Sequence, residues 1–394
     1  SKDLLSIVFV NHLVVLSYQS RLIEKSLEEI EKPFLGSDPT FQQVRKLTGD
    51  ESITVYIQHR MLDSFAKMYM SAANPVVSDV ARLVSFTGLE FLMEDSMVSL
   101  QGPSVLNDSI QDSYLKAMLA VKPGNGDLLP VIPAQTAVFT SIGFEDYLKF
   151  QEKFETELQK SPEIWDDYQK NVKKIEKLLK ISIKKDFMSW IGNEIALLMI
   201  QPDSGLQPEP VVIIHSNEIA DARTGLLRIT TQIKKRTPVK FKIQEYREHE
   251  ISYMEIKGFF KLFFGKLFSK LEKPYFTIHG EYVIFSNSIE TIKHWIDQIE
   301  DKKTLENEPD FKKFMAGFSE NRNFLTVMRM DQLYPGFPQT LSPATWKQIQ
   351  ANESYVRSFR YSGLSVESRE SHFYSVWKTD HKKWEAATAP DSTE

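Results

Sequence analysis

"PYFTIHGEYVIFSNSIETIKHWIDQI", residues 274–299, has a counterpart at the start of the chain in "SIVFVNHLVVLSYQSRLIEKSLEEI", residues 6–30. With Asn11 set on Gly280, Val14-Val15-Leu16-Ser17 falls on Val283-Ile284-Phe285-Ser286. Each copy reads as two short β-rich runs on either side of a residue type that tolerates positive φ, the pattern of a hairpin. An amphipathic helix follows, with Leu22, Ile23, Leu27 and Ile30 opposite Thr291, Ile292, Ile296 and Ile299 at helical spacing.

The correspondence continues outward. Asp38-Pro39-Thr40-Phe41 parallels Glu308-Pro309-Asp310-Phe311, and a strand over Ile53–Ile57 parallels one over Phe324–Met328. "FTGLEFLMEDSMVSL" (86–100) resembles "YSGLSVESRESHFYSV" (361–376), a further hairpin entered through a glycine, Gly88 or Gly363. Strand meanders interrupted by helix pairs, with no regular βαβ alternation, predict an α+β fold of antiparallel sheets with helices packed on them. The order of matching elements predicts an internal duplication: a first unit over residues 1–127, a second over 128–379 and a polar tail over 380–394.

The second unit has more in front of its hairpin. A strand is expected at Thr136–Ile142, a helix at Glu145–Leu158 and another starting at Pro162, capped by Ser161, with strands at Ile195–Ile200, Val211–His215 and Ile251–Ile256. The first unit begins inside its hairpin, so it is expected to be N-terminally incomplete, with a targeting segment among the missing residues. "VKPGNGDLLPVIPAQT" (121–136) reads as a linker, "PDSGLQPEP" (202–210) as a hairpin loop, and the stretch after Trp377 as a frayed end.

Composition sets the outer bounds. The chain has 394 residues, 42% of them hydrophobic and 26% charged, enough for two or three cores. Its 48 basic and 53 acidic residues leave a net charge of −5, which gives no reason to expect nucleic-acid binding. There is no cysteine, which excludes a disulfide scaffold, a thiolate nucleophile and any cysteine-held metal. No apolar run is long enough to cross a bilayer, and Ser1-Lys2-Asp3 does not open a signal peptide.

Catalytic signatures are missing from the sequence: it has no G-x-S-x-G elbow and no H-E-x-x-H helix. "GFFKLFFGK" (258–266) has the wrong glycine spacing and too many bulky side chains for a phosphate loop. In "REHEIS" (247–252), strand alternation sends Glu248 and Glu250 to one face and His249 to the other. His12, His59, His215, His279, His294, His372 and His381 are scattered, so no catalytic residue, metal or cofactor is expected.

The most unusual stretch is "KGFFKLFFGKLFSKLEKPYF" (257–276). Read as a helix over 257–271, it gathers Phe259, Phe260, Phe263, Phe264, Leu267, Phe268 and Leu271 on half its circumference, flanked by Lys261, Lys266 and Lys270. That face would meet lipid or a partner groove, or it would cover the sheet as core. Its direct connection to the strand at Tyr275–His279 favours the core.

"KKDFMSWIGNEIALLMIQP" (184–202) carries Asp186, Trp190, Gly192 and Glu194 ahead of an apolar strand. It resembles the D-x-x-x-W-x-G-x-E signature of an uncharacterised bacterial family, domain-of-unknown-function family 3352. "HGEYVIFSNSIETIKHWID" (279–297) is similar to that family's strand-then-helix element, so the likeness extends over roughly 136–378. The resemblance implies export to the bacterial envelope, periplasmic or anchored, and no assigned activity. Taken by themselves, the residues give Trp190 and Ile191 the end of a helix, Gly192 a left-handed stop, and Asp186 and Glu194 local capping and solvated roles.

Three functions follow as expectations. The first is a non-catalytic envelope module that binds or scaffolds another protein. The second is a lipid or membrane-surface module acting through the Phe-rich segment, and the third an enzyme with an unrecognised site.

Overall fold

The computed structural model describes residues 5–30, 34–49, 53–69, 81–94, 96–107, 113–126, 128–200, 209–237, 243–254 and 256–382. Its strands are β1 (Ser6–Val10), β2 (Leu13–Ser17), β3 (Thr54–Gln58), β4 (Val84–Glu94), β5 (Met97–Leu106), β6 (Gly124–Asn125), β7 (Val138–Gly143), β8 (Ile191–Ile200) and β9 (Glu209–Ser216). They continue with β10 (Gln244–Tyr246), β11 (His249–Tyr253), β12 (Tyr275–His279), β13 (Tyr282–Ser286), β14 (Asn321–Arg322), β15 (Phe324–Arg329), β16 (Phe359–Arg369) and β17 (His372–His381). Thirteen of them form one antiparallel sheet in the order β10-β11-β12-β13-β9-β8-β7-β15-β16-β17-β5-β4-β3. The fold is α+β, with helices on both faces of this sheet.

The central strands are apolar at nearly every position because both of their faces are covered. Successive residues of β9 alternate between two cores. Val212 and Ile214 face one core, built with helices Tyr147–Gln159, Pro162–Leu179 and Ile219–Arg236 and the Phe-rich segment. Val211 and Ile213 face the other, closed by helices Ile289–Glu300 and Pro309–Met315. A third, smaller core of Val44, Phe86 and Val105 lies under helix Pro39–Thr48, at the β3 end.

The two matched stretches pair their strands in the same register. Ser6↔Ser17 and Val10↔Leu13 of the first hairpin stand where Tyr275↔Ser286 and His279↔Tyr282 stand in the second. Both turns put their first residue at positive φ, 54° at Asn11 and 55° at Gly280. The longer hairpins agree as well. Thr87↔Ser104 and Glu94↔Met97 of β4–β5 match Ser362↔Thr379 and Arg369↔His372 of β16–β17. Even the irregularity recurs, between Val84 and Phe86 in one and between Phe359 and Ser362 in the other. The meanders β3-β4-β5 and β15-β16-β17 meet through β5 and β17, where Gln101 is opposite Val376.

Several expectations need correcting. Residues 121–136 are a packed connection and not a loose linker: Leu128, Val131, Ile132 and Thr136 are buried. Asp380 and His381, assigned to the tail, are the last residues of β17, where Asp380 is buried and paired with Arg360. Ahead of the 121–136 connection a helix runs over Ser113–Leu119, while residues 201–208 of the expected hairpin loop and 383–394 of the expected tail lie outside the described residues. No helix among the described residues is long and apolar enough to cross a membrane.

Candidate functional site

In the N-terminal hairpin, the cross-strand pairs Ile7↔Leu16 and Phe9↔Val14 share one face, and Val8↔Val15 lies on the other. Helix Ser20–Glu29 packs on this hairpin, and Val8, Val10 and Val15 are half-buried. The Ile7–Phe9–Val14–Leu16 face is open: Phe9 is 78% exposed and Leu16 57%. At the matching positions of the second hairpin, Phe276, Val283 and Phe285 are buried and Ile278 is half-buried. The Phe-rich segment closes them over, with the Phe260 and Phe285 rings 4.9 Å apart.

The strand edges differ in the same way. β13 is paired by β9 and β15 by β7, and β8 joins β7 to β9. Among the described residues, neither β2 nor β3 has such a neighbour: β3 ends the long sheet, and β1 and β2 form a sheet of two. Ile53, Val55 and Leu47, at the β3 end of the long sheet, are exposed as well. Alternation alone showed that these residues formed strands, but not that they would be exposed among the described residues.

The Phe-rich stretch does not form a continuous helix. The α-helix runs only over Phe259–Phe264, and Gly265, at φ 84°, stops it before a 3-10 turn at Lys266–Phe268. Phe259, Phe260, Phe263 and Phe264 are all buried, as are Phe268 and Leu271, while Leu267 is 37% exposed and Lys261 is exposed. In this fold the four phenylalanines are core and offer no apolar face to lipid or partner.

The signature residues are structural supports. Trp190 is fully buried and donates its indole N–H to the Asp186 carbonyl at 3.2 Å. The Asp186 carboxylate accepts the Ser182 N–H at 2.8 Å, with Arg228 Nε 3.6 Å away. Glu194 is buried beside Arg322, whose Nη2 lies 4.0 Å from Oε1. Neither carboxylate is solvated, contrary to expectation. Gly192 is not a left-handed stop either, because it lies within β8 and is absent from the positive-φ residues. What it provides is close approach: a Cβ there would sit 2.5 Å from His215 Nδ1.

Two groups of titratable side chains escaped the sequence reading. His59 Nε2 is 2.8 Å from Thr87 Oγ1, and the hydroxyl chain continues through Ser104 to Ser375. Burial pushes the His59 imidazole down to about 4. At the opposite end of the long sheet, His249 Nε2 and His279 Nδ1 lie 2.8 and 3.8 Å from Glu300 Oε1. The His249 hydrogen bond holds the Glu300 carboxyl below its ordinary range, and burial lowers His279. In sequence these three residues are far apart. The β11–β12 register, Tyr253↔Tyr275 and Ser252↔Phe276, is what brings the two histidines opposite each other.

No curated protein matches the chain. Among solved structures it is similar to crystal forms I and III of TP0453, at 8% and 10% identity. Each likeness covers 64% of this chain, and 77% and 78% of the other chains, at TM-scores of 0.30 and 0.28, too loose to carry anything across. The family described as "Protein of unknown function (DUF3352)" matches residues 1–252. That span takes in the first hairpin and the 184–202 signature, and it stops before the 279–297 stretch that also prompted the resemblance. With about two thirds of its length matched, the chain belongs to the DUF3352 family of proteins of unknown function.

Proposed function

We propose that the protein is a non-catalytic binding module of the cell envelope, whose two halves are copies of one unit. Its N-terminal half takes up apolar strands from a partner protein. One observation carries this reading: among the described residues, the Ile7–Phe9–Val14–Leu16 face and the β2 and β3 edges are open where their counterparts are filled. The second half supplies the template for the occupant. Three antiparallel strands, β7, β8 and β9, span the gap between β15 and β13, and a Phe-rich turn lies over the hairpin. Exposed apolar faces and unpaired strand edges are the usual marks of a protein-binding site, reached by strand addition. The envelope setting rests on the family resemblance, and cell fractionation with an antibody to the protein tests it.

The binding test compares the chain with a Phe9→Ser/Leu16→Ser variant, using cross-linking to identify the bound protein and amide exchange to locate it. The reading requires one partner that slows exchange in β2 and β3 and is lost with the variant. It fails if the face binds phosphatidylglycerol vesicles instead, or if the protein's own polypeptide covers the face.

A further inference from the structure

The end of the long sheet opposite β3 holds a group of side chains that the binding role leaves unused. His249 opens β11, His279 closes β12, and Glu300 is the last residue of helix Ile289–Glu300. One donor atom from each lies within 4.8 Å of the other two. We propose that His249, His279 and Glu300 bind one zinc-class divalent ion, with the remaining coordination position open to water.

The donor set selects the ion. Two imidazoles and one carboxylate suit zinc and its borderline neighbours, whereas magnesium and calcium require oxygen ligands throughout. Zinc bonds of about 2.0–2.2 Å place tetrahedral donors about 3.3–3.5 Å apart. The separations here, 2.8 Å for His249–Glu300 and 3.8 Å for His279–Glu300, bracket that value, so sub-ångström side-chain shifts admit the ion. Glu300 is more than two-fifths exposed, which gives the ion an entry path and a place for water.

The surroundings hold the donors in place. Trp295 is fully buried, donates its Nε1–H to the Val131 carbonyl at 3.0 Å, and presents its ring edge-on to His279 at 5.8 Å. That contact fixes the second imidazole. His249 follows a two-residue turn whose members, Arg247 and Glu248, both hold positive φ, 46° and 65°, without being glycine. Such strain persists where surrounding contacts over-determine it. The contacts here are Arg247 to Asp297 at 2.9 Å and to Asp301 at 3.2 Å, which also occupy the two carboxylates flanking Glu300. Glu300 is left facing the histidines.

Zinc chloride titrated into the whole chain by calorimetry tests the site. One ion per chain should bind with a Kd below about 10 μM. It should also raise the thermal midpoint, and excess magnesium chloride should not displace it. His249→Ala and His279→Ala should each weaken binding more than about 100-fold, beyond the 10–100-fold typical of losing an outer-shell group. His215→Ala, at the separate His215–Glu281 pair, should leave Kd unchanged. If an alanine variant fails to fold, cobalt chloride decides on the unaltered chain, because a tetrahedral site gives intense visible absorption that zinc abolishes. Absence of saturable binding at about 100 μM zinc overturns the proposal, as does an unchanged Kd in the folded His249→Ala/His279→Ala variant.

Discussion

Gly225, in the middle of helix Ile219–Arg236, lies against the main-chain carbonyl of Asp186 so closely that a Cβ there would sit 2.0 Å from the oxygen. The same carbonyl accepts the Trp190 indole N–H, so one backbone oxygen anchors both the signature tryptophan and a long helix. Gly225→Ala would gain about 1 kcal/mol of helix propensity. The clash is with backbone and cannot be relieved by a rotamer change, so a net loss of roughly 2–3 kcal/mol is expected. Urea unfolding measures it; a variant as stable as the parent would show that the helix stands further off.

Trp190→Ala should cost roughly 3–5 kcal/mol, the range for removing a large buried aromatic. Trp190→Phe keeps most of the burial but leaves the Asp186 carbonyl without its indole donor, and about 1–2 kcal/mol should go with it. Thermal melts of the two variants should therefore fall in that order.

Phe260 and Phe9 make a matched pair of tests. Phe260→Ala opens a cavity beside Phe285 and should cost roughly 3–5 kcal/mol. Phe9→Ser, at a side chain 78% exposed, should leave the isolated chain within about 0.5 kcal/mol of the parent while abolishing partner binding. A large loss of stability in Phe9→Ser would mean the open face is already packed.

His59 gives a pH signature. Its folded value, about 4, lies below the ordinary 6.5, so the unfolded chain takes up the proton first as the pH falls. The stability this group contributes is fully present above about 6.5, declines between 6.5 and 4, and changes no further below that. Denaturant titrations at pH 7 and pH 4.5 should show His59→Asn losing less stability than the parent, by roughly 2–3 kcal/mol. Parallel losses in the two proteins would place His59 in water.

The parts of the fold that were legible are those encoded locally. The two hairpin–helix units follow from two-residue alternation, a turn residue that accepts positive φ, and helical spacing, all within about 25 residues. Gly192 was misread because its small size serves His215, which approaches from the next strand, and not its own backbone angles. Gly265 was passed over inside an apolar stripe, although its left-handed conformation is what divides the Phe-rich segment. Residues 121–136 carry the glycines and prolines of a linker, yet Trp295, far along the chain, binds Val131 and holds the segment in the core. The His249–His279–Glu300 group depended on strand register and on where a helix ends. Neither could be read without the sheet order.

β17, the last strand in chain order among the described residues, lies in the interior of the long sheet, between β16 and β5. Its pairing with β5, Phe373↔Ser104 through Asp380↔Met97, is the ladder that, among the described residues, joins β3–β5 to the rest of that sheet. Until β17 has emerged from the ribosome the chain therefore carries two shorter sheets, each with a raw edge, while nearly 270 residues separate the strands that must meet. Closure of such a distant pair is slow, and exposed edges recruit other chains in the meantime. Deleting residues 372–381 would make that vulnerable state permanent, turning the loss of one strand into a protein prone to aggregate with itself.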